Sequence, residues 1–193
     1  MKDFSSSLRL HKEHEGIVVR CSLPGDAHTI ANYFQANKRF LAPWEPARDS
    51  DFYRPENWAA KLIKLDELHR LSLAYYCLIL DSETQEMLGT VSFSNLVRFP
   101  FHSCNLGYSL AENAQGKGVM RKALAMAIPY MFDIQNMHRI SASYMPRNKR
   151  SEAVLQHHQF EKEGFAKDYL LINGQWEDHV LTSLVNPHWL PKE

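Results

Sequence analysis

An Asn-Gly pair at residues 173–174 is the feature that most limits how this chain of 193 residues can fold. Two strand-like segments flank it, FAKDYLLI at 165–172 and QWEDHVLTSLV at 175–185. Both central positions of a type I′ turn need a positive φ angle, which Asn and Gly adopt more readily than other residues. The C-terminal part of the chain is therefore predicted to be an antiparallel hairpin.

Strand patterns and helix patterns are both present in the rest of the chain. Apolar runs bounded by polar turns predict five more strands, at 17–23, 74–80, 87–97, 103–110 and 139–145. Apolar residues at helical spacing predict four helices, from about Asp26, from Pro55, after Gly118 and from about Lys149 to Phe160. These elements predict one α/β domain over residues 1–193, with a core at about 17–189 and a mixed sheet flanked by helices.

Prolines mark two irregular places in this pattern. Residues 40–55 contain Pro43, Pro46 and Pro55 and are predicted to be a loop that ends where the second helix begins. Pro129 lies inside the third helical pattern. Because proline has no amide hydrogen to donate, we expect that helix to kink or to end early.

Charge and hydrophobicity exclude several classes of partner. Lys and Arg number 22, as do Asp and Glu, so no net positive charge attracts nucleic acid and direct DNA binding is not expected. No apolar stretch reaches the length of a membrane span, and the first sixteen residues lack the apolar region of a signal peptide. A cytoplasmic protein without membrane contact is predicted.

Cysteine and histidine show no arrangement typical of a metal site. Cys21, Cys77 and Cys104 are far apart and lie in apolar runs, so they are predicted to be small buried hydrophobic residues. The ten histidines form no ligand pattern and are predicted to lie on helix surfaces. No metal cofactor is expected.

The segment SLAENAQGKGVM at 109–120 joins a predicted strand to a predicted helix. Free amides at a helix N-terminus attract anions, and Gly116 and Gly118 would let a phosphate approach the backbone closely. An ordinary turn in which the glycines serve only backbone conformation is the alternative. The segment matches neither a Walker loop, because Lys117 lies between the glycines, nor a dinucleotide fingerprint, because Arg121 replaces the third glycine.

The same segment resembles the pyrophosphate loop [RQ]-x-x-G-x-[GA] of the GNAT superfamily of N-acetyltransferases. Gln115 and Gly118 match that pattern, whereas Met120 replaces the usual Gly or Ala. Further likeness covers about residues 17–189 and points to the branch that acetylates ribosomal proteins. It is carried by FLAPWEP (40–46), LGYSL (106–110), MHRI (137–140), YMPRNKRS (144–151) and the C-terminal hairpin.

This resemblance implies acetyl-CoA as cosubstrate, bound where two neighbouring strands splay apart. It implies that the backbone of Tyr108, Ser109 and Leu110 pairs with the pantetheine arm and that Asn148 forms a hydrogen bond with it. Backbone amides would hold the pyrophosphate at Gln115, Gly116, Lys117, Gly118, Val119, Met120 and Arg121.

Two basic clusters accompany these segments in an otherwise neutral chain. They could neutralise the phosphates of the cosubstrate, or they could form a solvated surface. Their members are Lys117, Arg121, Lys122, Arg147, Lys149 and Arg150.

Catalytic roles follow from the needs of acyl transfer. A backbone amide near Leu110 would stabilise the oxyanion, and Ser151, at the serine position of the family motif, would protonate the leaving thiolate. Asn148 and Ser151 also suit helix N-capping, which stays open as an alternative. Glu45 and Asp168 are candidate bases, with Glu45 preferred; alternatively Glu45 faces water and Asp168 pairs with a basic neighbour.

The implied reaction is direct acetyl transfer, in a ternary complex, to the N-terminal alanine of a small-subunit ribosomal protein, free or on pre-ribosomal particles. Two alternatives remain at this point. The acceptor could be another amine, such as an antibiotic, a toxin or a polyamine. The protein could also be a ribosome-associated CoA binder without catalytic activity.

Overall fold

The computed structural model describes residues 9–191. Residues 1–8, which belong to the segment considered above for a signal peptide, and residues 192–193 lie outside the described part. Eight strands form one sheet in the order β1-β2-β3-β4-β5-β6-β8-β7. They are β1 His11–His14, β2 Ile17–Cys21, β3 Tyr75–Asp81, β4 Met87–Val97, β5 Ser103–Leu110, β6 Arg139–Tyr144, β7 Glu161–Ile172 and β8 Gln175–Val185.

Among the described strands, β5 and β6 pair in parallel and every other neighbouring pair is antiparallel. The parallel pair is joined through a helix, as a crossover between parallel strands requires. The helices are α1 Ala27–Ala36, α2 Lys38–Leu41, α3 Pro55–Arg70, α4 Val119–Pro129 and α5 Lys149–His157. The predicted mixed α/β sheet is confirmed.

The predicted hairpin turn is also confirmed, with φ angles of 45° at Asn173 and 83° at Gly174. Pro129 ends α4 as expected, and a π-helical turn, Tyr130–Ile134, continues from it. The prediction for 40–55 is wrong in part, because α2 and the short 3₁₀ helices Ala42–Trp44 and Asp51–Tyr53 extend into this region. Proline is accepted in the first turn of such helices, where its missing amide hydrogen has no partner to lose.

Two strands differ from the sequence-based expectation. The edge strand β1 has the sequence HKEH and exposes all four residues, so no apolar alternation announces it. It pairs with β2 through a turn in which Glu15 and Gly16 have positive φ angles. β7 begins at Glu161, four residues before the predicted start at 165, because the charged segment 161–164 still pairs with β8.

Apolar side chains of the central strands and of the helices form one core. In α4 the buried face includes Ala123, Leu124 and Ala127, each fully buried, as its helical spacing predicts. The three cysteines are buried free thiols, which confirms the prediction that they are small buried residues, and the sulfur atoms of Cys21 and Cys77 lie 3.7 Å apart. Within residues 9–191, no helix combines the length and the apolar character needed to cross a membrane.

Candidate active site

The parallel strands β5 and β6 separate after three paired positions. Ser103, Cys104 and Asn105 pair with residues of β6, and no pairing follows, although β5 continues to Leu110 and β6 to Tyr144. On its other edge, β5 stays paired with β4 up to Leu110. The end of β5 therefore has one unpaired edge, at which an extended ligand can form backbone hydrogen bonds.

Backbone groups alternate along β5 between its two edges. The Ala111 amide donates to the Leu88 carbonyl on the β4 side at 2.8 Å. Successive residues of an antiparallel strand direct their amide and carbonyl groups to opposite edges. Tyr108 and Leu110 therefore direct theirs towards the unpaired edge. The Leu110 carbonyl already accepts a hydrogen bond from the Gln115 side chain at 3.1 Å, which leaves its amide available.

Ser109 directs its backbone towards β4, which corrects the expectation that this backbone pairs with a ligand. A Cβ atom at Gly89 would clash with the Ser109 carbonyl, so glycine is needed there for β4 and β5 to approach. The Ser109 hydroxyl contacts the hydroxyls of Tyr33 at 2.9 Å and Thr90 at 3.0 Å. Ser109 thus belongs to the wall of the site and has a role within the sheet.

A cavity of about 350 Å³ opens between the separated strands. Its walls come from the end of β5, the residues around the end of β6, the first turns of α5, the FLAPWEP segment (residues 40–46) and the β7–β8 hairpin. It brings together several residues that the sequence analysis selected: Glu45, Tyr108, Ser109, Leu110, Gln115, Met120, Asn148 and Ser151.

The glycine-containing loop leads from β5 into α4. Gly116 and Gly118 have φ angles of 73° and 74°, and Gly118 is the N-cap of the helix without a side-chain capping bond. The glycines therefore serve backbone conformation, and the same conformation leaves the first amides of α4 free for an anion. The side chain of Met120 is buried and contributes to the cavity wall.

Most of the basic residues near the loop have local partners. Lys122 pairs with Glu15 at 3.1 Å, Lys149 pairs with Glu152 at 2.9 Å, and the Arg150 guanidinium lies 5.8 Å from the centre of the Phe40 ring. Among the described residues, Lys117 and Arg121 form no ion pair. These two side chains flank the free amides, and the combination fits a phosphate-bearing cosubstrate.

Asn148 and Ser151 occupy the start of α5. The Ser151 amide donates to the Asn148 side-chain oxygen at 3.1 Å, so Asn148 is the N-cap of the helix. The Ser151 hydroxyl takes no part in this cap. It lies 2.7 Å from the Tyr108 hydroxyl, across the space between α5 and β5.

The Tyr108 hydroxyl is a functional group that the sequence analysis missed, because Tyr108 was selected there only for its backbone. Burial raises the pKa of Tyr108 to about 12, although the hydrogen bond with Ser151 opposes this shift. The phenol is therefore protonated at neutral pH and can donate to Ser151. No sequence pattern links Tyr108 with Ser151, which is 43 positions away.

Glu45 lies where the FLAPWEP segment meets the β7–β8 hairpin. Its carbonyl accepts a hydrogen bond from the Asn173 amide at 3.1 Å. Burial raises the pKa of its carboxyl group, and the charges of Arg48 and Lys61 partly oppose this effect. The Arg48 guanidinium is 3.9 Å away, too far for a close ion pair. Glu45 is thus a partly desolvated carboxylate at the cavity wall.

The structure does not bring Asp168 into this site. It is exposed, with a φ angle of 45°, in an irregular part of β7 between Ala166 and Leu170. Its amide donates to the Asp178 carboxylate at 2.9 Å, and its side chain is not part of the cavity wall. We therefore do not propose Asp168 as the base.

His179 is a second group that the sequence analysis missed, since histidines were predicted on helix surfaces. It lies buried on β8 and contributes to the cavity wall. Its Nδ1 atom is 2.9 Å from the Glu177 carbonyl, which can only accept, so Nδ1 carries hydrogen. In the neutral ring Nε2 is then an acceptor. His179 and its neighbour Val180 are both buried, so β8 shows no alternation here and no sequence pattern could have found His179.

No metal centre accompanies these groups: the described part of the chain holds no cluster of three or more His, Cys, Asp or Glu side chains suited to binding a metal ion. The groups that the cavity brings together are backbone amides, hydroxyls, one partly buried carboxylate and one buried imidazole.

Comparison with known proteins agrees with this geometry. The family model for an acetyltransferase (GNAT) domain matches residues 18–161. The [ribosomal protein uS5]-alanine N-acetyltransferase of Escherichia coli (strain K12) is 50% identical over 175 residues, which cover 91% of this chain and 90% of that protein.

Solved structures extend the comparison. The ribosomal-protein-S5-alanine acetyltransferase from Vibrio fischeri has a TM-score of 0.92 and 50% identity, covering 94% of this chain and 100% of that one. Mycobacterium smegmatis RimJ in complex with CoA-disulfide has a TM-score of 0.82 and 29% identity, covering 91% and 84% of the two chains.

The glycine loop generates a test of cosubstrate binding. Saturating CoA or acetyl-CoA should raise the melting temperature, whereas ATP and NAD should not, because a ligand that binds the native state stabilises it. Gly118→Glu should abolish the shift by placing bulk and negative charge beside the free amides. Thermal denaturation with each ligand measures both effects.

Gly174→Glu is the matched control. Gly174 also has a positive φ angle and open space around it, so this variant carries the same backbone strain and charge away from the loop. It should keep the full CoA shift. Stabilisation by ATP equal to that by CoA would show that the loop is misassigned.

Proposed function

The chain belongs to the GNAT acetyltransferase family, and we propose that it transfers the acetyl group of acetyl-CoA to the N-terminal alanine amino group of ribosomal protein uS5. One observation carries the proposal: a single cavity joins the unpaired edge of β5 to the FLAPWEP segment and the β7–β8 hairpin. A cosubstrate and an acceptor can therefore meet there. The likeness to the E. coli enzyme covers 91% of the chain and supports the choice of acceptor.

Acetyl-CoA supplies a thioester whose carbonyl carbon the acceptor amine attacks. The chain provides the surroundings of this step. The amides at Tyr108 and Leu110 are positioned to hold the extended arm, and the Leu110 amide is suited to stabilising the oxyanion. Free amides at the start of α4, with Lys117 and Arg121 beside them, hold the phosphates.

Ser151 and Tyr108 act on the leaving group in this proposal. In this arrangement the Tyr108 hydroxyl donates to the Ser151 hydroxyl oxygen, at 2.7 Å, rather than to the Ser151 carbonyl oxygen, at 3.3 Å. The Ser151 hydroxyl then keeps its own hydrogen to donate to the departing sulfur. This hydrogen bond becomes stronger as negative charge develops on the sulfur, so it favours the transition state over the bound substrate.

Glu45 holds the acceptor in this proposal. Its carboxylate attracts the N-terminal ammonium group and can accept the proton that the amine must lose before attack. An α-amino group has an ordinary pKa of about 8, so a weak base suffices. We further propose that the enzyme works in the cytoplasm, on uS5 either free or in pre-ribosomal particles, because that is where the acceptor is made.

The central experiment incubates the protein with acetyl-CoA and short peptides that differ only in their first residue. The peptide with the uS5 N-terminal sequence should be acetylated on its α-amino group in preference to one beginning with a bulky residue, because steric exclusion can discriminate by a few kcal/mol. Mass spectrometry locates the acetyl group. Equal acetylation of spermidine would favour another amine as acceptor, and no acetylation of any amine would favour a non-catalytic CoA binder.

Glu45→Gln tests the acceptor role. The Michaelis constant for the peptide should rise while that for acetyl-CoA stays nearly unchanged, because only the ammonium loses a partner. In the wild type, the Michaelis constant for the peptide should also rise as the pH falls through the elevated pKa of Glu45, because the carboxyl group then becomes neutral. The Gln variant should lack this pH dependence.

Stability gives an independent check on Glu45. A carboxyl whose pKa is raised by folding destabilises the folded state once it ionises, so its cost is present at pH 7 and lost in acid. Glu45→Gln should therefore raise the melting temperature at pH 7 and leave it unchanged near pH 4. A lower melting temperature at pH 7 would contradict the desolvation of this group.

Ser151→Ala tests the leaving-group role. Turnover should fall roughly 10- to 1000-fold with little change in CoA affinity. The melting temperature should hardly change, because the helix cap uses the Ser151 amide and the Tyr108 hydroxyl keeps the Ser151 carbonyl oxygen, at 3.3 Å, as an acceptor. Tyr108→Phe should lower turnover less, since Ser151 remains. Asn148→Ala should instead cost about 1 kcal/mol of stability. Normal turnover in Ser151→Ala would remove Ser151 from the mechanism.

A further inference from the structure

Arg147 was grouped by its sequence position with the basic residues near the cosubstrate phosphates, but its contacts lie elsewhere. Its guanidinium donates to the Pro43 carbonyl at 3.0 Å and to the Glu177 carboxylate at 2.7 Å. It also lies over the Trp44 ring, 4.9 Å from the ring centre. One side chain thus joins the FLAPWEP segment to β8 of the hairpin.

These contacts connect parts of the chain that are far apart in sequence. Pro43 is 104 positions from Arg147, and Glu177 is 30 positions from it. The Asn173 amide, bonded to the Glu45 carbonyl at 3.1 Å, provides a second connection between the same two walls of the cavity. Trp44 and Glu45 both line that cavity. The two connections together therefore determine the position of the FLAPWEP segment, which carries both residues.

We propose that Arg147 is a positioning residue for the acceptor, which clasps the FLAPWEP segment against the β7–β8 hairpin and thereby fixes the width of the acceptor side of the cavity. The inference rests on the proposed function, because it assigns that side to the peptide. Arg147 does not touch the reacting atoms in this role. It acts through Trp44 and Glu45.

The energetics favour a clasp made of several weak contacts. The Arg147 side chain is 46% exposed, so its ion pair with Glu177 is screened and weak by itself. The stacking on Trp44 uses the planar guanidinium, which lysine lacks, whereas the bonds to Pro43 and Glu177 both come from one nitrogen atom, Nη2. Arg147→Lys should therefore keep only part of the effect, and added salt should weaken the clasp.

Hydrogen exchange on the full chain without substrate tests the clasp directly. Arg147→Ala should speed exchange several-fold in residues 40–46 and at the Asn173 amide, because local opening becomes easier. Arg139→Ala is the matched control: it removes an arginine of β6 that pairs with Glu163 of β7, and neither residue lines the cavity. It should leave exchange in both segments unchanged.

Kinetics with the alanine peptide supply the second readout. Arg147→Ala should raise the Michaelis constant for the peptide about tenfold, with that for acetyl-CoA within about twofold. Arg147→Lys should be intermediate. Glu177→Gln should raise the Michaelis constant for the peptide as Arg147→Ala does. The double variant should show less than the product of the two single effects, because both variants remove the same contact.

The outcomes separate the clasp from the proposed function. If the wild type fails to acetylate the peptide, the proposed function fails, and the exchange data alone decide on the clasp. Unchanged exchange in Arg147→Ala would overturn the clasp. If Arg147→Ala raised the Michaelis constant for acetyl-CoA and left that for the peptide unchanged, the clasp would also be overturned. Arg147 would then belong with the residues that bind the phosphates. If Arg147→Ala does not fold, Arg147→Lys and Glu177→Gln provide the same two readouts.

Discussion

Beyond Asn105, β5 is paired on one edge only, and the site depends on this interruption of the sheet. The two halves of the sheet are each complete: β5 stays with β4, and β6 stays with β8 up to Tyr144. An unpaired backbone group costs free energy when it is shielded from water, so the edge of β5 favours a partner with matching donors and acceptors. The cavity, the glycine loop and the start of α5 all adjoin this edge, which therefore sets where the chemistry can occur.

Burial acts on two groups of the site with opposite consequences. The pKa of Tyr108 is raised to about 12, which fixes the phenol as a donor across the working pH range. The pKa of the Glu45 carboxyl group is raised above its ordinary acidic value and so lies closer to neutral pH, where the group can accept and release a proton. The loss of water around an ionisable group thus has two effects: Tyr108 keeps a constant protonation state, whereas the protonation state of Glu45 can change.

Sequence patterns predicted what local interactions determine. The Asn173-Gly174 turn and the start of α4 each depend on a few neighbouring residues, and each is present. The cap at Asn148, which the sequence left open as an alternative, is equally local and is also present. The contact of Tyr108 with Ser151 and the burial of His179 depend on how distant strands and helices pack, so no spacing announces them. Asp168 shows the converse error: it was selected from its position in the sequence, but its side chain is exposed and lies outside the cavity wall.

This difference between local and distant interactions divides the site itself. The cosubstrate side comes largely from one continuous stretch, from Tyr108 to Arg121, in which strand, loop and helix follow each other directly. The acceptor side combines the FLAPWEP segment with a hairpin more than a hundred positions later, and its parts meet only through side-chain and backbone contacts. A change of sequence can therefore alter the acceptor side while the cosubstrate side keeps its geometry. In the proposed function, selectivity for the acceptor therefore follows from the packing of these segments and not from the glycine loop.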